Sequence, residues 1–470
     1  MAVEHSTRRH NHRGGSRNGD PLRVVIAGGG IAAIEAVLAL RHTVGMRPEI
    51  TVVAPNAEFA YRPLAPVEPF GIGETMSVRL ERIASDLRFV LVEDALRRVD
   101  PERSTAITLQ GLELGYDALL LATGATAEPA VPGALTYTGP ESTAEIRALL
   151  AAVAGGAARR VALAVPAPVR WSLPLYELAV LLARHARRNG VTLEISVFTH
   201  EEQPLEVFGK RASDSVRQLL AVETISLKTS AAPVLVREGG LRIANEEPID
   251  ADAVLALPRQ VVEPIPGIPQ GPDGFVPTDV LMRIDGLSRA WAAGDVTWFP
   301  IKQGGLAAQQ ADVAASGIAA LIDPEIEVRP FRPRLRAAMI TGGSPRYMRS
   351  PAGSSDRDSA ATTAPLWWPP AKVAGRLLAP YLADLEGDRQ QTTLQDLAEP
   401  ERDADRELDH LDAVELALTA ADLDARGRDY AGALRWLEAA ERLNLVLPYE
   451  YACKRERWMV QGEAAEREPR

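Results

Sequence analysis

The stretch 22–41, LRVVIAGGGIAAIEAVLALR, decides how the rest of the chain is read. Leu22, Val24, Val25, Ile26 and Ala27 are apolar, and the run halts at three glycines. Ile34, Val37, Leu38 and Arg41 then recur at helical spacing, so the stretch predicts strand, glycine turn and helix. Gly28-x-Gly30-x-x-Ala33 fits a dinucleotide-binding fingerprint, in which glycines let backbone N–H groups approach a pyrophosphate at a helix N-terminus. The strand before the turn and the apolar helix after it are the context that such a match requires.

Working outward, 49–54 reads as the second parallel strand of a β-α-β unit. The fingerprint expects an acidic residue near its end for a ribose hydroxyl. This chain has Ala54, Pro55 and Asn56 there, which leaves Asn56 or Glu58 as substitutes. Pro63, Pro66 and Pro69 mark an irregular loop, and short strands follow at 89–92, 95–99, 105–109 and 112–114. The run 116–125 returns to a buried strand that ends in the small-residue turn Ala122-Thr123-Gly124. A second α/β unit has a helix at 143–153, a strand at 160–165, a helix at 173–189 and a strand at 192–198. Farther on come Gly294-Asp295, an Ala-rich helix from about Gly305 to Leu321, and a proline-rich third region that reads as loop.

The expected class is therefore α/β with two Rossmann-like domains. The first comprises 21–140 and 258–325 and the second 141–257; a C-terminal interface region covers 326–386 and an all-α tail 387–470. In the tail, Tyr430, Ala433, Leu437 and Ala440 follow Gly427 at the spacing of helix B of one tetratricopeptide-like hairpin over 412–448. A single such hairpin cannot bury its own face, so it needs the main body or a partner. Residues 1–20 read as a disordered extension without the apolar core of a secretory signal.

The 470 residues are 46% hydrophobic and 24% charged, as in ordinary globular proteins. A net charge of −11 argues against nucleic-acid binding. No apolar run approaches the roughly 18 residues of a membrane span. The one cysteine, Cys453, rules out an internal disulfide, a CxxC pair and a cysteine-based metal cluster. The scattered histidines show no metal-site spacing.

Three turns now stand in order: Gly28 to Ala33, Ala122 to Gly124, and Gly294-Asp295. Together they resemble the two-dinucleotide-fold flavoproteins, the pyridine nucleotide-disulfide oxidoreductase superfamily, over about residues 22–385. The resemblance implies FAD, with its pyrophosphate at Gly28, Gly30, Ile31, Ala32 and Ala33. It also implies close passage of the chain at Ala122, Thr123 and Gly124, and a ribityl contact at Gly294-Asp295. Tyr61-Arg62-Pro63 and Pro300-Ile-Lys-Gln-Gly-Gly305 resemble the branch of sulfide:quinone oxidoreductase and type II NADH dehydrogenase. With them Asn56, Arg62, Ala95, Gln303 and Gly304 join the cofactor set. Lys302 is the candidate catalytic residue, as a cation at the flavin or a proton donor to quinone.

Two departures set the expected subtype. The strand at 160–165 runs into Val165-Pro-Ala-Pro-Val-Arg170, and no glycine occurs between Gly156 and Gly190. Prolines lack backbone donors, so a nicotinamide site of the usual form is not expected. Sulfide oxidation in the resembled family uses cysteines, and Trp171 stands close to where one would be. The resulting expectation is an FAD-dependent oxidoreductase that passes electrons from an unidentified small-molecule donor to a quinone or similar acceptor. An NAD(P)H:acceptor reductase with an atypical nicotinamide site and a non-catalytic flavin-fold scaffold are the alternatives. Val373, Leu377, Leu378, Tyr381 and Leu382 share one helical face, with Lys372 and Arg376 on another. That stripe suits either a membrane-interface helix or packing on the flavin domain. The expected location is cytoplasmic, with peripheral contact on the inner membrane face as the alternative, and the tail hairpin packs on the body or on a protein partner.

Overall fold

In a computed structural model of the chain, the stretch 22–41 forms a strand, Arg23–Ala27, and a helix, α1 (Ile31–Val44), joined by the three glycines. The described residues are 21–167, 169–237, 240–244, 247–271, 273–351, 359–367 and 369–386, with scattered positions between 425 and 461. The extension 1–20 lies outside them. Almost all of the hairpin expected over 412–448 does too. Within that span Ala425, Tyr430, Ala433, Leu434 and Leu437 are helical, and Ala433 and Leu437 are buried. The other helices are α2 (Leu80–Leu87), α3 (Thr143–Ala154), α4 (Leu173–Arg188), α5 (Lys210–Val222), α6 (Gly304–Ala319) and α7 (Leu378–Glu386).

Arg23–Ala27 lies at the centre of a five-stranded parallel sheet. Ala118–Leu121 and then Ala290–Ala292 flank it on one side, and Glu49–Val53 and then Val90–Val92 on the other. The strands read as nearly continuous apolar runs because both faces are covered. One face packs Val24, Ile26, Val52 and Leu120 against α1 and α6, and the other buries Val25, Leu119 and Leu121 under the antiparallel strands that follow. Strand order reverses at Arg23–Ala27, and a crevice at such a switch point is where open α/β sheets take ligands.

A second all-parallel sheet has the order Leu135–Thr136, Ala253–Ala256, Arg160–Val165, Glu194–Thr199 and Ser226–Lys228. Helices α3, α4 and α5 bury Ile146, Leu178, Val180 and Val216 in its core.

The proline-rich third region is not loop alone. It carries an antiparallel sheet of Arg334–Met339, Arg346–Pro351 and Ala360–Thr362. Leu335, Ala337 and Met339 point to the second core, while Arg334 and Arg336 alternate with them. Such alternation is the signature of a half-buried strand, and the flanking prolines masked it. The expected loop around Pro63 is instead a 3-10 helix, Arg62–Phe70, because each proline fixes φ near the helical value.

Candidate functional site

The glycine turn is shaped by two close approaches and one opening. Gly28 has φ +125°, and a Cβ on it would lie 2.0 Å from the Ala122 carbonyl oxygen. Its N–H donates to Val53 O at 2.8 Å. A Cβ on Gly29 would press on Leu80 and Ala54 at 2.8 and 2.9 Å. Around Gly30 nothing lies within 4 Å of the Cβ position. Gly30 is the N-cap of α1 and supplies no side chain to its amides, and the first turn holds no acidic residue. The N–H groups of Ile31, Ala32 and Ala33 thus lie at a helix N-terminus that no side chain caps, beside the opening at Gly30.

The other two turns come to the same place. Ala122 donates its N–H to Ala27 O at 2.7 Å, which lays Ala122-Thr123-Gly124 directly against Gly28. Thr123 is exposed, and Gly124 takes φ +76°. A Cβ on Gly294 would be 3.2 Å from the Ala32 Cβ. Gly294 is pinned by its N–H donating to Gln310 Oε1 at 2.8 Å, and Thr297 Oγ1 donates to Gly294 O at 2.9 Å. Asp295, next in the chain, is half-buried and accepts no hydrogen bond among the described residues. Burial pushes its carboxyl up, against the pull of Lys302 and Arg62. An open N-cap and an unengaged carboxylate in one crevice fit a dinucleotide cofactor.

Lys302 lies beside them. Its Nζ donates to Thr297 O at 2.6 Å and sits 3.7 Å from the centre of the Phe275 ring. Burial lowers its pKa to about 8, and Asp295 acts in the opposite sense. Gly304 begins α6 where a Cβ would meet Ile31 and Val373, both at 2.9 Å. That close packing joins the N-terminal ends of α1 and α6.

Other members of the expected cofactor set have different engagements. The Gln303 side chain caps α6, accepting from Leu306 N at 2.8 Å, and its Nε2 donates to Arg336 O at 2.8 Å. Both ends of that amide are thus taken. Arg62 is exposed, paired with Glu141 at 2.5 Å and donating to Thr138 O at 2.9 Å. Asn56 is exposed just past Glu49–Val53. The N–H of Ala95 donates to Asp94 Oδ1, and Asp94 Oδ2 takes Gln110 N. The Asp94 carboxylate is therefore taken up by these backbone amides and by the Thr108 hydroxyl. Gln310 escaped the sequence reading, although a lone glutamine on the buried face of an Ala-rich helix is its signal.

The corresponding end of the second sheet is built differently. Val169 N donates to Pro166 O, so the chain makes a tight turn after Arg160–Val165. The Trp171 ring packs on Phe208, with centroids 6.0 Å apart. Just past the strand Glu194–Thr199, Glu201 occupies the place where a dinucleotide fold presents its ribose carboxylate. Its side chain is buried and accepts from Ser172, Tyr176 and Thr199 hydroxyls at 2.9, 2.7 and 2.9 Å. Burial raises its pKa, and the three donors act against that.

The apolar stripe that suits either a membrane interface or packing on the flavin domain is packed on the body. Residues 372–377 are not helical, and Val373, Leu378 and Leu382 are buried in the same core cluster as residues of α1 and α6. Lys372 is buried on Glu177, and Arg376 pairs with Asp312 at 2.8 Å. Packing on the first domain is the outcome because these residues find apolar partners there. Trp367 is likewise buried, edge-on to Tyr347 at 5.3 Å. Among the described residues no helix is long and apolar enough to cross a membrane, and no group of His, Cys, Asp and Glu has metal-site geometry.

No family model matches the chain. A curated protein described as sulfide-quinone reductase, from Aquifex aeolicus (strain VF5), is 26% identical over 195 residues. That stretch is 40% of this chain and 44% of the relative, so less than half of the relative's length is spanned. The solved sulfide:quinone oxidoreductase from the same species superposes with TM-score 0.67 at 17% identity, covering 80% of this chain and 92% of that one. An NAD-dependent persulfide reductase from A. fulgidus gives TM-score 0.54 at 20% identity, over 72% of this chain and 65% of that one. NDH2 from Plasmodium falciparum gives 0.50 at 15% identity, over 59% and 64%. At these identities the structural likeness is one of fold, shared with sulfide:quinone oxidoreductase, the persulfide reductase and NDH2, and the chain is similar in sequence to the curated sulfide-quinone reductase over those 195 residues.

Proposed function

We propose that the protein is an FAD-dependent oxidoreductase that passes electrons from a small-molecule donor to a quinone or similar acceptor, without a cysteine disulfide and without a nicotinamide site of the usual form. The observation that carries this reading is the meeting of three sequence-distant turns, at Gly30, Ala122 and Gly294, around one helix N-terminus that no side chain caps. FAD, when bound, supplies the two-electron redox chemistry.

The chain's own part is to hold and polarise. The first-turn amides of α1 would bind the diphosphate, and the glycines allow that contact because no Cβ intervenes. Asp295 would accept hydrogen bonds from the ribityl hydroxyls. Lys302 and the N-terminus of α6 would put positive charge at the end of the groove where negative charge develops on reduction. With a pKa of about 8, Lys302 also exchanges a proton readily near neutral pH. The inward turn of Glu201 supports a donor other than NAD(P)H.

An absorbance spectrum of the purified full chain, before and after incubation with FAD, tests the reading. A flavin spectrum at near one equivalent supports it. A protein colourless after incubation overturns it and favours a scaffold role. Anaerobic mixing of the flavin-loaded protein with NADH should leave the spectrum oxidised; rapid bleaching would point to the NAD(P)H:acceptor reductase instead.

A further inference from the structure

The segment 372–378 crosses from the second domain to the first and is tied down at three polar points. Lys372 Nζ contacts both carboxylate oxygens of Glu177 at 2.6 and 2.7 Å, and the pair is buried. The amide of Val373 donates to the Tyr61 hydroxyl at 2.7 Å. The amides of Leu377 and Leu378 donate to Glu35 Oε1 and Oε2 at 2.9 and 2.7 Å, so Glu35 of α1 caps α7. Between these ties Val373 lies against Gly304, and a Cβ on Gly375 would come within 2.8 Å of Glu35 Oε2. The segment therefore runs across the junction of α1 and α6.

We propose that 372–378 is a strap over the flavin end of the groove, and that Glu35 is the positioning residue whose protonation sets how firmly the strap is closed. The proposal rests on the flavin reading above for what the strap covers, but its mechanism needs only this chain. Glu35 is fully buried in the closed arrangement, and opening returns its carboxylate to water. The charges that face it are Asp312 from α6, which opposes ionisation, and Arg376 of the strap, which favours it. Burial first, and Asp312 second, raise the closed-state pKa from 4.5 to about 7, against the two backbone amides and Arg376. A carboxyl with the higher pKa in the closed state takes up its proton there preferentially. Closure is accordingly favoured below pH 7, and the strap loosens as pH rises. Between pH 6 and pH 8 the opening equilibrium changes about tenfold for one such group.

Hydrogen exchange on the full-length protein, with and without added FAD, is the test. The amides of Leu377 and Leu378, corrected for intrinsic exchange, should exchange about tenfold faster at pH 8 than at pH 6 in the native chain. Glu35→Gln should remove that slope. Tyr61→Phe should speed exchange at Val373 at both pH values and keep the slope at Leu377 and Leu378. If Glu35→Gln does not fold, Arg376→Leu serves, because removing a cation from beside Glu35 should move the midpoint to higher pH. An unchanged slope in Glu35→Gln, an unmoved midpoint in Arg376→Leu, or no slope in the native chain overturns the proposal. Failure to bind FAD would defeat the flavin reading while leaving this exchange pattern measurable.

Discussion

At the carboxyl end of Arg23–Ala27 the chain turns through three glycines, with open space at the Gly30 Cβ position and no side-chain cap on α1. At the carboxyl end of Arg160–Val165, in a sheet of the same parallel type, it turns through Pro166 and packs Trp171 on Phe208. The neighbouring strands differ in the same direction. After Glu49–Val53 the small residue Ala54 is followed by an exposed Asn56, whereas after Glu194–Thr199 the acid Glu201 turns inward onto three hydroxyls. One architecture thus carries an uncapped helix N-terminus beside a glycine turn in one copy and a carboxylate held by three hydroxyls in the other. The difference lies in a few residues at the strand ends, because a parallel sheet fixes where a crevice falls and the turn residues decide whether anything can enter it.

The largest effect should come from closing the open crevice. Gly28→Ala places a Cβ on the Ala122 carbonyl oxygen at φ +125°, so it should abolish flavin retention and lower stability by about 3 kcal/mol or more. Flavin content after purification and thermal unfolding check this, and a yellow protein of native stability would break the comparison. Next, Asp295→Ala removes a charged acceptor worth about 1.5–3 kcal/mol, so FAD affinity should fall roughly ten- to a hundredfold. Fluorescence titration of the FAD-free protein measures it.

Lys302→Met gives a smaller, pH-dependent effect. Because its folded pKa of about 8 lies below the ordinary 10.5, the unfolded chain binds the extra proton between those values, and stability contributed by Lys302 rises with pH across that window. The melting curve of Lys302→Met should lack this rise between pH 8 and pH 10. The smallest effect sharpens the other half of the comparison. Replacing Pro166 and Pro168 by glycine should yield no measurable NADH binding by calorimetry, because Glu201 remains engaged by Ser172, Tyr176 and Thr199. Micromolar NADH binding in that variant would show that the prolines alone close the site.

Much of the fold is legible in the chain because parallel strands buried on both faces write unbroken apolar runs. The strand expected at 160–165 is Arg160–Val165, and the helix expected at 143–153 is Thr143–Ala154. Half-buried segments are harder to read. The arginines of Arg334–Met339 and the prolines of Arg62–Phe70 look like loop, since their alternation and fixed φ values are weak signals beside neighbouring turn residues. The stripe of Val373, Leu378 and Leu382 has the right spacing for a membrane surface, and spacing does not say what covers a face.

The candidate site divides the same way. Gly28, Gly30 and Gly294 are readable because a backbone approach needs a missing Cβ, and only glycine supplies it. Gln303 as a cap, Arg62 paired to Glu141, and Glu35 and Glu177 holding the strap are contacts between residues far apart in the chain. By itself, then, the sequence determined the strand–turn–helix units and the glycines of the open crevice, since those follow from local periodicity and backbone sterics. Which carboxylates stay without a hydrogen-bond donor among the described residues and which are spent inside the protein was decided only by tertiary structure, because a polar side chain's role depends on the donors that folding brings to it.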